Sequence, residues 1–482
     1  MIMPSNPGFA SRSIGNQRCK KLQAITHTYR CHPPYQRHLN DIHTIMVTHQ
    51  IARNKHRRQS SIRCNASSST PNKGLGILEW TGSLIPQGLL VKVAKTTWSN
   101  FWKILMVELA PQSKTGAFVR STYSFDNTIT HFQPGRYHLY VGNECPWCHR
   151  VLLGLAIRGL ANKDGSLDNN APITFTQLTA DPERASRGGW VLERNSPDRI
   201  FPNAADLRQI YDSCVPGGYT GRCTAPLLID SVTKTIVCNE SSILLRNIST
   251  LSAGTIANGT DGDGDGSTFP GITPIDLYPT LLQSEIDYWN EKIYTDINNG
   301  VYQVGFSTTQ EAYDEAMFRL WTCIYKIEEI LGGGGGGRSD TMDIKNTLSK
   351  ARKFLCGDRL TEADIRLFPT IVRFDTIYAM LFRCWGRERI QDLPNLSAWM
   401  RRMNSIKIPA DNSNAKRSMR LQVSDCVDME AAKRNYFKSL FPLNPSGIVP
   451  GVKDADVWGG EEEEGGLDGG GGELDDIFYM ME

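Results

Sequence analysis

The stretch GRYHLYVGNECPWCHRVLL, residues 135–153, decides the fold. Tyr137–Val141 reads as a strand. Pro146 to Leu160 reads as a helix, with Val151, Leu152, Leu155 and Ala156 on one face. Proline is favoured at the first helical position, so Cys145 falls at the N-cap. Orphan amides and the positive end of the helix dipole meet its sulfur there and favour thiolate over thiol. A thiolate attacks a disulfide or a thioether-linked sulfur. Cys148 lies one turn inside the same helix end and is a candidate resolving thiol. His149 reads as a packing or capping residue.

Two other chemistries share this pattern. C-x-x-C-H also attaches c-type haem, but here it follows a strand inside an α/β pattern. Zinc would need two further ligands at suitable spacing, and the chain has no second CxxC. Neither metal nor haem is expected. The 12 cysteines are scattered through a large chain, which reads as mostly buried thiols in a reducing compartment.

The neighbouring sequence completes a small α/β unit over about 115–250. Ala225–Ile229 and Thr235–Val237 read as a short hairpin, and Asn239 or Glu240 opens another helix. In thioredoxin-like folds a cis-proline faces the cysteine turn and exposes the preceding backbone to a cysteinyl peptide, a place that Ala225-Pro226 could fill. Amides and the Ser241 hydroxyl at the next helix start can hold a carboxylate, and Glu240 can pair with an ammonium. Together they suit the γ-glutamyl end of glutathione; alone they read as an ordinary helix cap.

Residues 276–440 read as helical. Leu281, Leu282, Ile286, Trp289 and Ile293 recur near helical spacing, as do Tyr313, Met317, Leu320, Trp321 and Ile324 within Gln310 to Leu331. Thr361 and Asp364 resemble a capping box before Ile365, Leu367 and Phe368. Segments 252–271, 332–337 and 459–482 are low in complexity and read as flexible insertions or a tail. Asp261, Asp263, Asp265 and Gly266 imitate an EF-hand loop, but Ile272 stands where calcium needs a bidentate Glu, so the segment reads as a linker. The expected layout is a transit peptide at 1–70, a thioredoxin-like domain with an N-terminal extension at 71–250, a linker at 251–275, a helical domain at 276–450 and an acidic tail at 451–482.

The chain has 482 residues, 40% hydrophobic and 22% charged, ordinary for a soluble globular enzyme. No apolar run is long enough to predict a transmembrane segment. The net charge of +2 hides an asymmetry: residues 1–70 hold 11 Lys and Arg against the single acid Asp41, and 459–482 hold nine acids and no base. The near-neutral body between them offers no nucleic-acid groove. The basic, Ser- and His-rich start has the composition of an organellar transit peptide, plastid ahead of mitochondrion. The alternative is a disordered basic arm that binds RNA or membrane, on a cytoplasmic protein.

The motifs GRYHLYVGNECPWCHRVLL, YTGRCTAPLLID (219–230), TIVCNESS (235–242), INNGVYQVGF (297–306), LTEADIRLFPTIVRFDTIY (360–378) and LNPSGIVP (443–450) occur in that order. Together they closely resemble the Xi-class glutathione transferases, the glutathionyl-hydroquinone reductases, over about 115–450. The resemblance implies a thioredoxin-like N-terminal domain, a helical C-terminal domain, a homodimer, glutathione as co-substrate and glutathionyl-hydroquinones as substrates. It places the nucleophile on Cys145 and a proton donor and acceptor toward the quinol oxygen on Tyr302. It places thiolate-favouring phenols on Tyr378 and Tyr436. Glutathione contacts fall on Trp190, Arg222, Cys223, Thr224, Ala225, Glu240 and Ser241. Cys148 stands where the family has Ala, which opens a dithiol, glutaredoxin-like thioltransferase or dehydroascorbate reductase reading. Ala225 replaces a more usual Val, with little effect expected because the backbone does the bonding. A non-catalytic glutathione or quinone carrier on the same fold is the alternative of another class.

Overall fold

β1 (Tyr137–Gly142) is buried along its whole length and sits at the centre of a five-stranded sheet ordered β3-β2-β1-β4-β5. A strand covered on both faces has no solvent side to alternate with, which is why YHLYV shows no alternation, and its buried His138 is satisfied by the Thr174 and Thr176 hydroxyls. β2 (Thr174–Ala180) runs parallel to β1, with His138 opposite Thr174. Parallel neighbours need a crossover, and α2 (Pro146–Ile157) supplies it. β3 (Trp190–Val191) pairs antiparallel with β2. α3 (Leu207–Cys214) follows, then the antiparallel hairpin of β4 (Leu227–Asp230) and β5 (Thr235–Cys238). α4 (Ser241–Thr250) closes the layer.

The computed structural model describes residues 87–451, apart from 121–123, 128, 130–132, 168–172, 195–196, 251–274, 334–350, 387 and 409–419. The basic start, the acidic tail, the EF-hand imitation and most of the glycine run lie outside the described residues.

The local expectations need small corrections. The helix after Cys145 stops at Ile157 rather than Leu160, because Gly159 takes a left-handed φ of +64° just past its end. The hairpin strand starts at Leu227 rather than Ala225, since Pro226 has no N–H to give the ladder. An element not foreseen, αN (Gln87–Leu109), precedes the sheet and is labelled α1 below.

The helical region comprises α5 (Gln283–Lys292), α6 (Gly300–Phe306), α7 (Gln310–Leu331), α8 (Glu362–Ile371), the short α9 (Ala379–Leu381), α10 (Pro394–Asn404) and α11 (Met429–Ser439). Two π-helical turns interrupt it, Ile293–Asn298 before α6 and Phe374–Tyr378 before α9. Leu281, read as part of a helix face, is instead 96% exposed in a 3-10 turn before α5. The capping box is present: the buried Asp364 carboxylate accepts from the Thr361 amide at 3.0 Å, the Leu355 amide at 2.9 Å and the Trp399 indole at 2.9 Å.

α2 packs against both α4 and α8, so the sheet's helix is also a wall of the helical region. The fully buried Glu362 on α8 fastens the two. It accepts from Arg246 of α4 at 2.8 Å, from Arg366 at 2.8 Å and from Asn290 of α5 at 3.1 Å. The result is a thioredoxin-like α/β layer joined to an all-helical region.

Candidate active site

Cys145 takes an extended conformation (φ −80°, ψ 124°) at the N-cap of α2, with Pro146 next. Its carbonyl accepts the first helical bond, from the His149 amide at 2.9 Å. Its thiol points to the Ala225 carbonyl, 3.7 Å away across the cleft, next to the cis Ala225-Pro226 bond. The Cys145 pKa falls from 9.0 to about 7. The largest cause is a hydrogen bond from the Cys148 thiol; burial opposes it, and the Cys148 and Trp147 amides and the Arg373 guanidinium add to it. Amides at a helix start stabilise a thiolate in this way.

Cys148 is fully buried, and that burial pushes its thiol well above the ordinary range. It meets Cys145 as a hydrogen-bond donor, so the expected resolving thiol is a protonated one. His149 is likewise buried, with Nδ1 3.0 Å from Arg373 Nη1 and its ring edge-on to Phe368. Arg373 comes from the turn after α8. It also donates to Pro369 O at 2.8 Å, Glu144 O at 3.4 Å and Asn143 O at 3.5 Å, which holds the loop that delivers Cys145.

Cys145 opens into a cleft of about 440 Å³ between the sheet edge and the helical region. Trp190, Arg222, Cys223, Thr224, Ala225, Glu240 and Ser241 all line it. The Trp190 ring packs on Gly142, where a side chain would overlap it. The Thr224 carbonyl accepts from Tyr211 at 2.9 Å, which steadies the loop before Pro226. Ser241 Oγ accepts from the buried Arg150 at 3.3 Å, leaving its proton to give; Glu240 accepts from the Ser242 amide at 3.4 Å as an ordinary cap does. Cys223 is almost wholly buried and its thiol is pushed up by that burial.

The opposite wall is aromatic. Tyr302 on α6 and Tyr436 on α11 both line the cleft, their hydroxyls 2.6 Å apart. Tyr378 does not line it. This residue ends the second π turn, is fully buried against Phe382, and its hydroxyl reaches Tyr436 at 3.3 Å. The expected thiolate-favouring phenol at Tyr378 therefore stands behind the wall, with its hydroxyl against Tyr436 and not in the cleft. Burial raises the pKa of all three phenols, so each is a neutral donor at neutral pH.

The comparisons with known proteins agree with this geometry. The profile of the glutathione S-transferase C-terminal domain matches residues 310–402. Glutathionyl-hydroquinone reductase PcpF of Sphingobium chlorophenolicum is 37% identical over 346 residues, which span 70% of this chain and 90% of that protein. The chain belongs to the glutathionyl-hydroquinone reductases, the Xi class of glutathione transferases. Glutathionyl-hydroquinone reductase YqjG of Escherichia coli (strain K12) is 32% identical over 355 residues, 70% of this chain and 89% of that one. The crystal structure of glutathione-S-transferase Xi from Phanerochaete chrysosporium superposes with a TM-score of 0.54 at 31% identity, covering 72% of this chain and 95% of that one.

Three residues of this Xi-class cleft, and one buried behind it, escaped the sequence reading. Trp147, inside the CPWC motif, lies between two guanidiniums, Arg120 at 4.2 Å and Arg150 at 4.8 Å from its ring centre. Arg120 itself lines the cleft, as does Asn239, whose carboxamide accepts from the Phe125 amide at 2.8 Å and donates to Tyr211 at 3.1 Å. Arg373 is the fourth. Its signal was present as a lone arginine in the apolar run LFPTIVRFDTIY, since a buried guanidinium needs partners.

Proposed function

We propose that this protein removes glutathione from glutathionyl-hydroquinones by thiol chemistry at Cys145. The observation that carries the reading is a cysteine with pKa near 7 at a helix start, facing Ala225 O on one side of a cleft whose other wall presents Tyr302 and Tyr436. Glutathionyl-hydroquinone reductases that span most of the chain's described length support it.

The Cys145 thiolate attacks the sulfur of the adduct. A new S–S bond forms, the S–C bond breaks, and its electron pair stays on the ring carbon, which takes up a proton to give the free hydroquinone. Tyr302, a neutral phenol backed by Tyr436, serves the proton transfer at the quinol. The γ-glutamyl end of glutathione meets the start of α4 at Glu240 and Ser241, and Trp190 with the loop Arg222–Ala225 holds the rest. A second glutathione then attacks the Cys145 mixed disulfide, leaving as oxidised glutathione and restoring the thiolate. Such double displacement gives ping-pong kinetics. The protein acts as a homodimer in this reading. The acid-poor basic start directs it to an organelle, plastid ahead of mitochondrion, which imaging of a fluorescent fusion tests.

Intact mass spectrometry after incubation with glutathionyl-menadione tests the chemistry. One glutathione adduct on Cys145, with menadiol released, is the expected result. A Cys145–Cys148 disulfide instead would replace this reading with the dithiol one, and bound ligand without covalent change would replace it with the carrier.

A further inference from the structure

Arg150, early in α2, is a buried cation held only by neutral groups. Its Nη2 donates to the Asn298 side-chain oxygen at 2.7 Å and its Nη1 to Ser241 Oγ at 3.3 Å, while its Nε has no partner. Arg246 and Arg366 both meet the Glu362 carboxylate; Arg150 makes no ion pair among the described residues. A buried charge is costly unless it is paired. The Trp147 face, 4.8 Å from the guanidinium carbon, offsets part of that cost. Burial pushes the Arg150 pKa down to about 9, so the group stays charged at neutral pH. Arg366 and Arg120 push it the same way, and Glu240 and Glu362 pull against them. Both carboxylates are engaged elsewhere. Glu362 accepts from Arg246, Arg366 and Asn290, and Glu240 accepts from the Ser242 amide and hydroxyl.

Arg150 reaches the cleft through Ser241, which lines it. Ser241 Oγ accepts from Arg150 and makes no other side-chain hydrogen bond among the described residues, so its own proton is left without an acceptor. A hydroxyl that accepts from a cation is polarised and becomes the stronger donor. Ser241 therefore offers that proton to an anion in the cleft, with a buried positive charge directly behind it. The guanidinium is fixed from the other side. Asn298 ends the π turn before α6 and itself donates to Thr370 at 2.7 Å.

We propose that Arg150 is a positioning residue for glutathione, supplying through Ser241 the positive charge that holds the glutamyl α-carboxylate. The carboxylate completes a pairing that the protein leaves open, and Glu240 remains for the ammonium. The inference rests on the placement of the γ-glutamyl end at Glu240 and Ser241 given above.

Calorimetric binding of two ligands tests it: S-methylglutathione, and the same compound with its glutamyl α-carboxylate converted to an amide. Neither ligand calls on the chemistry of Cys145. In the wild type, amidation should weaken binding about tenfold or more, the effect of losing a charge-assisted hydrogen bond. In Arg150→Met it should weaken binding by less than about threefold, because the charge that reads the carboxylate is gone. Arg150→Gln keeps a donor for Asn298 and should give the same result if the Met variant does not fold; circular dichroism melts check both. A purely structural role would lower the affinity for both ligands alike. An equal loss on amidation in wild type and variant therefore overturns the proposal. No loss on amidation in the wild type overturns the placement of the γ-glutamyl end at α4, and the proposal with it.

Discussion

Cys145 and Cys148 carry the same side chain and are driven in opposite directions. One sulfur sits where amides and a thiol proton converge; the other is buried and supplies that proton. Replacing Cys148 with Ala removes the largest cause of the low Cys145 pKa, so the pKa rises and less thiolate is present on the acid side. A hydrogen bond to a charged group contributes about 1.5 kcal/mol or more, so alkylation by iodoacetamide at pH 6 should slow about tenfold while the rate at pH 9 changes little. Equal rates at both pH values would show that Cys148 is no donor. Tyr302→Phe removes the proposed proton donor but no part of the sulfur site. Turnover of glutathionyl-menadione should fall about 10²-fold, with exchange of a simple glutathione mixed disulfide nearly unchanged. The place of Cys145 was legible in the sequence because helix-start signals are local: a strand, a turn and Pro146 suffice. The partners that tune it were not, since Arg373 reaches His149 across 224 residues of chain.

Secondary-structure elements place the cleft's walls. The π turns at Ile293–Asn298 and Phe374–Tyr378 precede the segments that carry Tyr302 and end at Tyr378, and such turns often mark functional sites. Asn298 shows how the first is held: it accepts from Arg150 at 2.7 Å and donates to Thr370 at 2.7 Å. Nothing in the 3.6-residue periodicity announces a π turn, because one extra residue barely disturbs the apolar pattern. The two-residue β3 was equally invisible, being too short for alternation to register. α8 was readable, because Thr361 and Asp364 cap it within one turn. Asp364→Ala would orphan buried donors and remove that cap, with an expected loss of about 4 kcal/mol in urea unfolding. At the other end of the sheet, β1 ends at Gly142 under the Trp190 ring. Gly142→Ala should displace that ring and weaken glutathione binding by calorimetry about tenfold, an effect of about 1.4 kcal/mol. Unchanged affinity would show that Trp190 does not bear on glutathione.

Across the whole molecule, the order of α/β and then helical segments was legible from strand runs and helical spacing. The α1 helix was not, because its apolar residues lie all round it and give no single stripe at helical spacing. The seam between layers was also hidden: nothing in the sequence around Arg246, Glu362 and Arg366 marks the pairing that buries Glu362. With Glu362, Arg150 and Arg373 all spanning that seam, the two layers should melt together. Scanning calorimetry should show one transition, and Arg373→Met should lower its midpoint while keeping it single, as Asn143, Glu144 and His149 lose a shared donor. Two separate transitions would show that the layers are independent. Arg373 adds to the nucleophile's acidity from the helical half, on top of what the motif supplies. A fragment ending at Thr250 would keep CPWC intact and lose the cation behind it, and a graft of the helical half from a relative would retune the thiol without changing any residue near it in the chain. The motif sets the reactivity of this cysteine, and the far half of the protein trims it through a single cation.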